Sequence, residues 1–280
     1  MTIERWVELW DEHHIYKLTD IYGLHFLDYD LIEANVKTHE VEMAGMDGVM
    51  IGPNTLEPFE INLNFYFDGS DKHDLNLFAE KIRKKLRTRN PFYIRHSYLP
   101  SIKYAINSVE IKYDRLNHSD ANVSISFRVY KGYSESLYDT DQFSLKNGNW
   151  QFESGLLPDN STKYRFSEQN FKVLNGSNDT IDPRLKHRLK IIIRLDSEKG
   201  FSLINKTTGD KFEFKSKTSI NKQLTIDNGY PFIQDNIELK RCGRSTNHGI
   251  ITLAPGYNKF EVWGDVKNFD IQFIFPFIYR

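Results

Sequence analysis

The chain has 280 residues, with 37 Lys and Arg against 38 Asp and Glu and a net charge of −1. That length admits two ordinary domains, each able to bury roughly 65–70% of its unfolded surface. The charge balance excludes a global basic field for nucleic acid, the single Cys242 excludes an internal disulfide, and the absence of any run of 18 apolar residues excludes a helical membrane span.

A lone cysteine also points to assembly in a reducing cytoplasm. Aromatic residues make up 14% of the chain, including 20 Phe and 15 Tyr, and many of the Phe sit in alternating runs, which favours a mainly β protein. Residues 1–22 place Ile3, Trp6, Val7 and Trp10 at helical spacing with charges between them. This reads either as a short amphipathic helix packed on its own domain or as an arm reaching a neighbouring subunit. The first residues lack the basic-then-apolar layout of a signal peptide. Strand-like stretches follow at 21–29 and 32–38.

The most informative stretch is 40–86. Val41 and Met43 lead into Gly45-Met46-Asp47-Gly48, and Val49 and Ile51 lead out. Asp47-Gly48 predicts a two-residue hairpin turn, in which both central positions take positive φ. Gly52-Pro53-Asn54 interrupts the ladder. Phe59, Ile61, Leu63, Phe65 and Phe67 then alternate with polar or amphipathic residues, a period of two that predicts a long strand with one buried face. After Gly69-Ser70-Asp71 the period changes. Leu75, Phe78, Ile82 and Leu86 predict a helix over about 71–88, capped by Ser70 or Asp71, with Lys81, Arg83, Lys84 and Lys85 toward water. Asn90-Pro91 stops it.

Further strands are expected at 92–95, at Ile102/Tyr104/Ile106 and Val109/Ile111/Tyr113 with a bulge or turn at Asn107-Ser108, and at Val123/Ile125/Phe127/Val129. One helix on a meandering antiparallel sheet makes a barrel-like first domain, 1–135. The segment 131–149 is polar and aperiodic, a linker or entry strand. Beyond Trp150, short strands alternate with turn clusters such as Asp159-Asn160-Ser161, Thr208-Gly209-Asp210 and Asp227-Asn228-Gly229, and the chain closes on Ile271, Phe273, Phe275 and Phe277. This pattern predicts a β-sandwich over 136–280.

No catalytic motif appears. There is no Gly-x-Ser-x-Gly elbow, no His-Glu-x-x-His helix and no phosphate-binding glycine loop, so the catalytic set is none and no cofactor is expected. His13-His14 are adjacent, which on a helix would turn them away from a shared site; the other seven histidines are scattered singly, and no metal is expected. The basic run 81–89 has no interleaved aromatic residues and reads as a solvated helix face or a subunit contact, not a nucleic-acid patch.

The order Gly-x-Asp-Gly turn, long alternating strand and amphipathic helix, with Gly45, Asp47 and Gly48 as the structural turn, resembles the N-terminal domain of siphophage distal tail (Dit) proteins over roughly 22–132. The ending LAPGYNKFEVWGDVKNFDIQFIFPFIYR is similar to the C-terminal end of phage tail components. The resemblance implies a galectin-like sandwich (jelly roll) for the second domain. It also implies a homohexameric ring at the virion tail tip, joining the tail tube protein to a tail-associated lysin or spike and to receptor-binding protein. A carbohydrate-binding adhesion module is the alternative. The galectin signature His-x-Asn-x-Arg with its Trp and Glu-x-Arg does not occur, which leaves Trp150 and Trp263 as candidate stacking residues.

Overall fold

The computed structural model describes residues 4–11, 14–146, 148–153, 155, 158–159, 161–235 and 238–280. They form two compact units, one running to Ser134 and the other Glu135–Tyr279. Both are built from strands, and α1 is the only α-helix among the described residues.

In the first unit β1 (Val7–Trp10) and β2 (Ile15–Lys17) occupy the segment whose apolar spacing predicts a helix. The strand prevails because Val7 and Leu9 are buried while Glu8 and Trp10 stay half-exposed, a period of two. Register with the strand 92–96 through Val7↔His96 and Leu9↔Ile94 supplies hydrogen bonds that an isolated helix of this length would lack. Ile3 and His13, part of that reading, lie outside the described residues. Then come β3 (Leu24–Ile32), β4 (Val36–Lys37), β5 (Glu40–Glu42), β6 (Val49–Ile51), β7 (Thr55–Leu56) and β8 (Phe59–Phe67). In β8 the five apolar positions are buried and the residues between them are not, as the alternation predicts.

Helix α1 (Lys72–Leu86) starts where Asp71 accepts a 2.8 Å hydrogen bond from the Asp74 amide. It buries Leu75, Phe78, Ala79, Ile82 and Leu86, and Phe78 stacks on Phe67 of β8 with centroids 4.0 Å apart. Full burial of such a side chain is worth about 1.5–3 kcal/mol. Next come β9 (Phe92–His96), β10 (Ile102–Arg115) and β11 (Ala121–Val129). The two stretches expected as separate strands around Asn107-Ser108 are one strand, and the bulge between Ile106 and Ser108 bends it.

The antiparallel order is β2-β1-β9-β10-β11-β8-β3. The sheet curls so that Tyr29 of β3 packs on His96 of β9 at 4.3 Å, while the Tyr98 hydroxyl donates to the Leu27 carbonyl at 2.7 Å. The result is barrel-like, with β2 and β3 ending the strand order.

The chain passes into the second unit through β12 (Ser134–Ser136), whose buried residues make it an entry strand. It continues through β13 (Arg165–Phe166), β14 (Asn170–Asn175), β15 (Lys190–Ser197), β16 (Phe201–Asn205), β17 (Lys211–Phe214), β18 (Gln223–Asp227), β19 (Tyr230–Asp235), β20 (Glu238–Arg241), β21 (Gly256–Trp263), β22 (Val266–Ile274) and β23 (Ile278–Tyr279). One sheet runs β13-β22-β15-β18-β19-β20 and the other β14-β21-β16-β17. Phe171 and Phe260 of the four-stranded sheet meet Phe273 of the six-stranded one at 6.0 and 4.9 Å, so the two sheets share one aromatic core. Asn258 fastens the loop above that core. Its amide donates to Ala254 O at 2.7 Å and Gly256 O at 3.1 Å, while its oxygen accepts from Ala254 N and from buried Asn205.

Candidate functional site

The connection between β3 and β8 leaves the barrel as a long double-stranded arm. Its base is the β4–β7 pair, Val36↔Leu56, and its outer part is the β5–β6 pair, Glu42↔Val49. Residues 43–48 therefore make the turn, which is wider than the two-residue turn that Asp47-Gly48 predicts. Gly45 and Gly48 take φ of 85° and 82°, but Asp47 takes no positive φ. The reason is the register. Pairing closes at Glu42 and Val49, so each glycine reverses the chain separately within a longer loop.

The arm carries a run of exposed apolar side chains. Val36, Val41, Met43, Met46, Val49, Met50 and Ile51 range from 43% exposed at Val49 to 76% at Ile51. Seven such residues within sixteen positions make the arm a candidate contact surface. Sequence reading missed it because a hairpin with apolar residues on both faces has the same pattern as one buried on both. The available signal was Glu40, Glu42 and Asp47 interleaved among them, which no buried hairpin would accept unpaired.

A second feature lies where β1 and β9 meet the end of α1. Trp10 stacks on Tyr93 at 5.8 Å, and the two rings, with Asn90 and Tyr130, line a cleft of about 810 Å³. An adjoining cleft of about 400 Å³ shares Trp10, Asp11 and Thr88 and is rimmed by Lys81, Lys84 and Lys85. The Lys85 ammonium sits 4.2 Å from the Tyr16 ring centroid, a cation–π contact. The basic face of α1 therefore borders an aromatic cleft, an arrangement the helical periodicity alone does not reveal.

The two candidate stacking residues are not brought together. Trp150 is buried against Phe143 at 5.1 Å and Phe277 at 5.2 Å, so its faces serve the core. Trp263 is 56% exposed beside a shallow cleft lined by Phe201, Ser202, Glu213 and Lys215. No group of three or more metal-ligating side chains occurs among the described residues. Asp120, Asp159, Asp196, Glu213 and Glu261 are held below the ordinary carboxylate range, chiefly by donated hydrogen bonds from Ser119, Ser161, the Ile220 amide, Lys211 and Lys206 respectively. A general acid of a glycosidase needs the opposite shift.

His96 stands apart from these surface features. It is fully buried among Phe26, Tyr29, Tyr98 and Tyr104, and neither ring nitrogen has a hydrogen-bond partner. Burial pushes its pKa down to about 4, so it is a neutral member of the barrel core.

Residues 17–129 match the model of a family described as phage tail protein RIFT-related domain. Among solved structures the chain is similar to the Dit protein of phage SPP1, described as a paradigm of the hub adsorption apparatus in phages that infect Gram-positive bacteria. The identity is 13% and the TM-score 0.61, over 97% of this chain and 99% of that one. It is also similar to a chain of the phage P2 baseplate in its activated conformation with Ca, at 8% identity and a TM-score of 0.44, over 97% and 98% of the two chains. No curated protein sequence matches significantly. The resemblance to siphophage distal tail proteins is thus supported at two levels: residues 17–129 match the phage tail protein RIFT-related domain, and along nearly its whole length the chain is similar in fold to a Dit protein.

Proposed function

We propose that this protein is the structural hub of a phage tail tip or baseplate. Six copies form a ring that joins the tail tube protein to a tail-associated spike or lysin and to receptor-binding components. Ring formation is assigned to residues 1–135, and a galectin-like sandwich to 136–280. The protein works by assembly in the virion, not by catalysis, and Cys242 as the lone cysteine suits assembly in the host cytoplasm.

The observation that carries this reading is the phage tail domain itself, a barrel-like sheet whose strand order ends on β2 and β3. A ring of closed symmetry is one way to cover such margins, which otherwise invite uncontrolled pairing. Negative-stain electron microscopy of the full chain tests it, alone and mixed with tail tube protein. Six-fold rings that stack on the tube are the expected result; particles of a single copy that ignore the tube would refute it.

A second reading, a carbohydrate-binding adhesion module, has one observation in its favour, the exposed Trp263 beside Ser202, Glu213 and Lys215. Glycan-array binding by the full chain that disappears in Trp263→Ala would support it. An array without signal would remove it.

A further inference from the structure

The exposed arm and the aromatic–basic clefts are made of different residues of the first unit, and no arm residue lines either cleft. Between His39 and Ile51 the arm carries Glu40, Glu42 and Asp47 and no Lys or Arg, and its apolar side chains face water on both sides of the ladder. The larger cleft has an aromatic floor in Trp10 and Tyr93 and is lined by Arg89 and Asp11; the smaller one, which shares Trp10 and Asp11, is rimmed by Lys81, Lys84 and Lys85, so cations outnumber the one carboxylate across the two. The volume of the larger cleft, about 810 Å³, and of the smaller, about 400 Å³, both fall in the range of sites that bury most of a ligand, about 300–1,000 Å³. The arm does not fill the cleft of its own chain, because its apolar residues remain 43% exposed or more.

We propose that the 40–51 hairpin of one copy docks into the Trp10–Tyr93 cleft of a second copy of this chain. The inference rests on the ring reading and names its contact. A surface that meets a different surface on an identical neighbour makes a heterologous, head-to-tail contact, and such contacts close into rings when the rotation permits. The arm is long. From Lys37 to Gly45 an extended chain rises about 3.3 Å per residue, on the order of 25 Å in all. Met43, Met46 and Met50 are unbranched and adapt to an irregular aromatic floor. The acidic residues of the hairpin meet the basic rim, which fixes register and speeds encounter.

The test uses the full chain with a photoreactive benzoylphenylalanine at position 46, irradiated at a concentration where the assembly forms. Cross-links from one copy to residues 81–93 of another are the expected result. In parallel, Glu40→Lys with Glu42→Lys is expected to weaken association about tenfold or more, and adding Lys84→Glu and Lys85→Glu is expected to restore it. Rings that persist with position 46 cross-linked elsewhere, or charge reversal with no effect on association, would overturn the docking while leaving the ring intact. A chain that stays monomeric at every concentration would overturn both.

Discussion

His96 offers a sharp test of the barrel core. Its ring is fully buried without a hydrogen-bond partner, and its pKa falls from the ordinary 6.5 to about 4. In the unfolded chain the ring binds a proton below about pH 6.5; in the folded chain it resists until about pH 4. The unfolded state therefore holds more protons across that window, and stability is lost as pH falls through it. At about 1.36 kcal/mol per pKa unit, the loss between pH 7 and pH 4.5 comes to about 2–2.5 kcal/mol from this residue alone. His96→Leu replaces the ring with an apolar side chain of similar bulk, so its cost at pH 7 should stay below about 1.5 kcal/mol. Urea unfolding of both proteins at pH 7 and pH 4.5 measures the double difference, in which the carboxylates common to both cancel. The variant should lose about 2 kcal/mol less on acidification. Equal losses in the two proteins would refute the placement of a neutral, unpartnered His96 in the core.

Three further outcomes follow from the packing. Phe78→Ala removes the ring that lies 4.0 Å from Phe67 and should cost about 3–5 kcal/mol in chemical denaturation. Asp71→Ala removes the N-cap of α1 and should cost about 1 kcal/mol, whereas Asp71→Ser should recover most of it. In the second unit, Asn258→Ala leaves the Ala254 amide and two carbonyls without their shared partner. Unmade buried hydrogen bonds cost about 1–3 kcal/mol each, so this change should exceed any single surface substitution in a thermal melt.

Where the sequence was legible, one face of an element was buried and the other was not. β8 and α1 were readable residue by residue because burial imposes periods of 2 and 3.6 on their side chains. The sandwich was readable from its turns, since Gly209, Asn228 and Gly229 take the positive φ their composition favours. Failures came where partners distant in sequence decide. Trp6, Val7 and Trp10 fit a helical stripe, and only the arrival of β9, some 85 residues later, makes Val7–Trp10 a strand. Asp47-Gly48 named the hairpin but not its loop length, because register is fixed by the flanking ladder and not by the dipeptide. The candidate contact surface was the least legible part. An arm exposed on both faces and a cleft assembled from β1, α1 and β9 leave no local period, and of the two stacking candidates Trp150 proved to be core.

The central claim is that the chain exists to be completed by copies of itself. Native mass spectrometry of the purified full chain measures this most directly. The account predicts a dominant species of six times the 33.0 kDa chain, reached as concentration rises. A 33.0 kDa species that persists at every concentration, with or without tail tube protein, would contradict it.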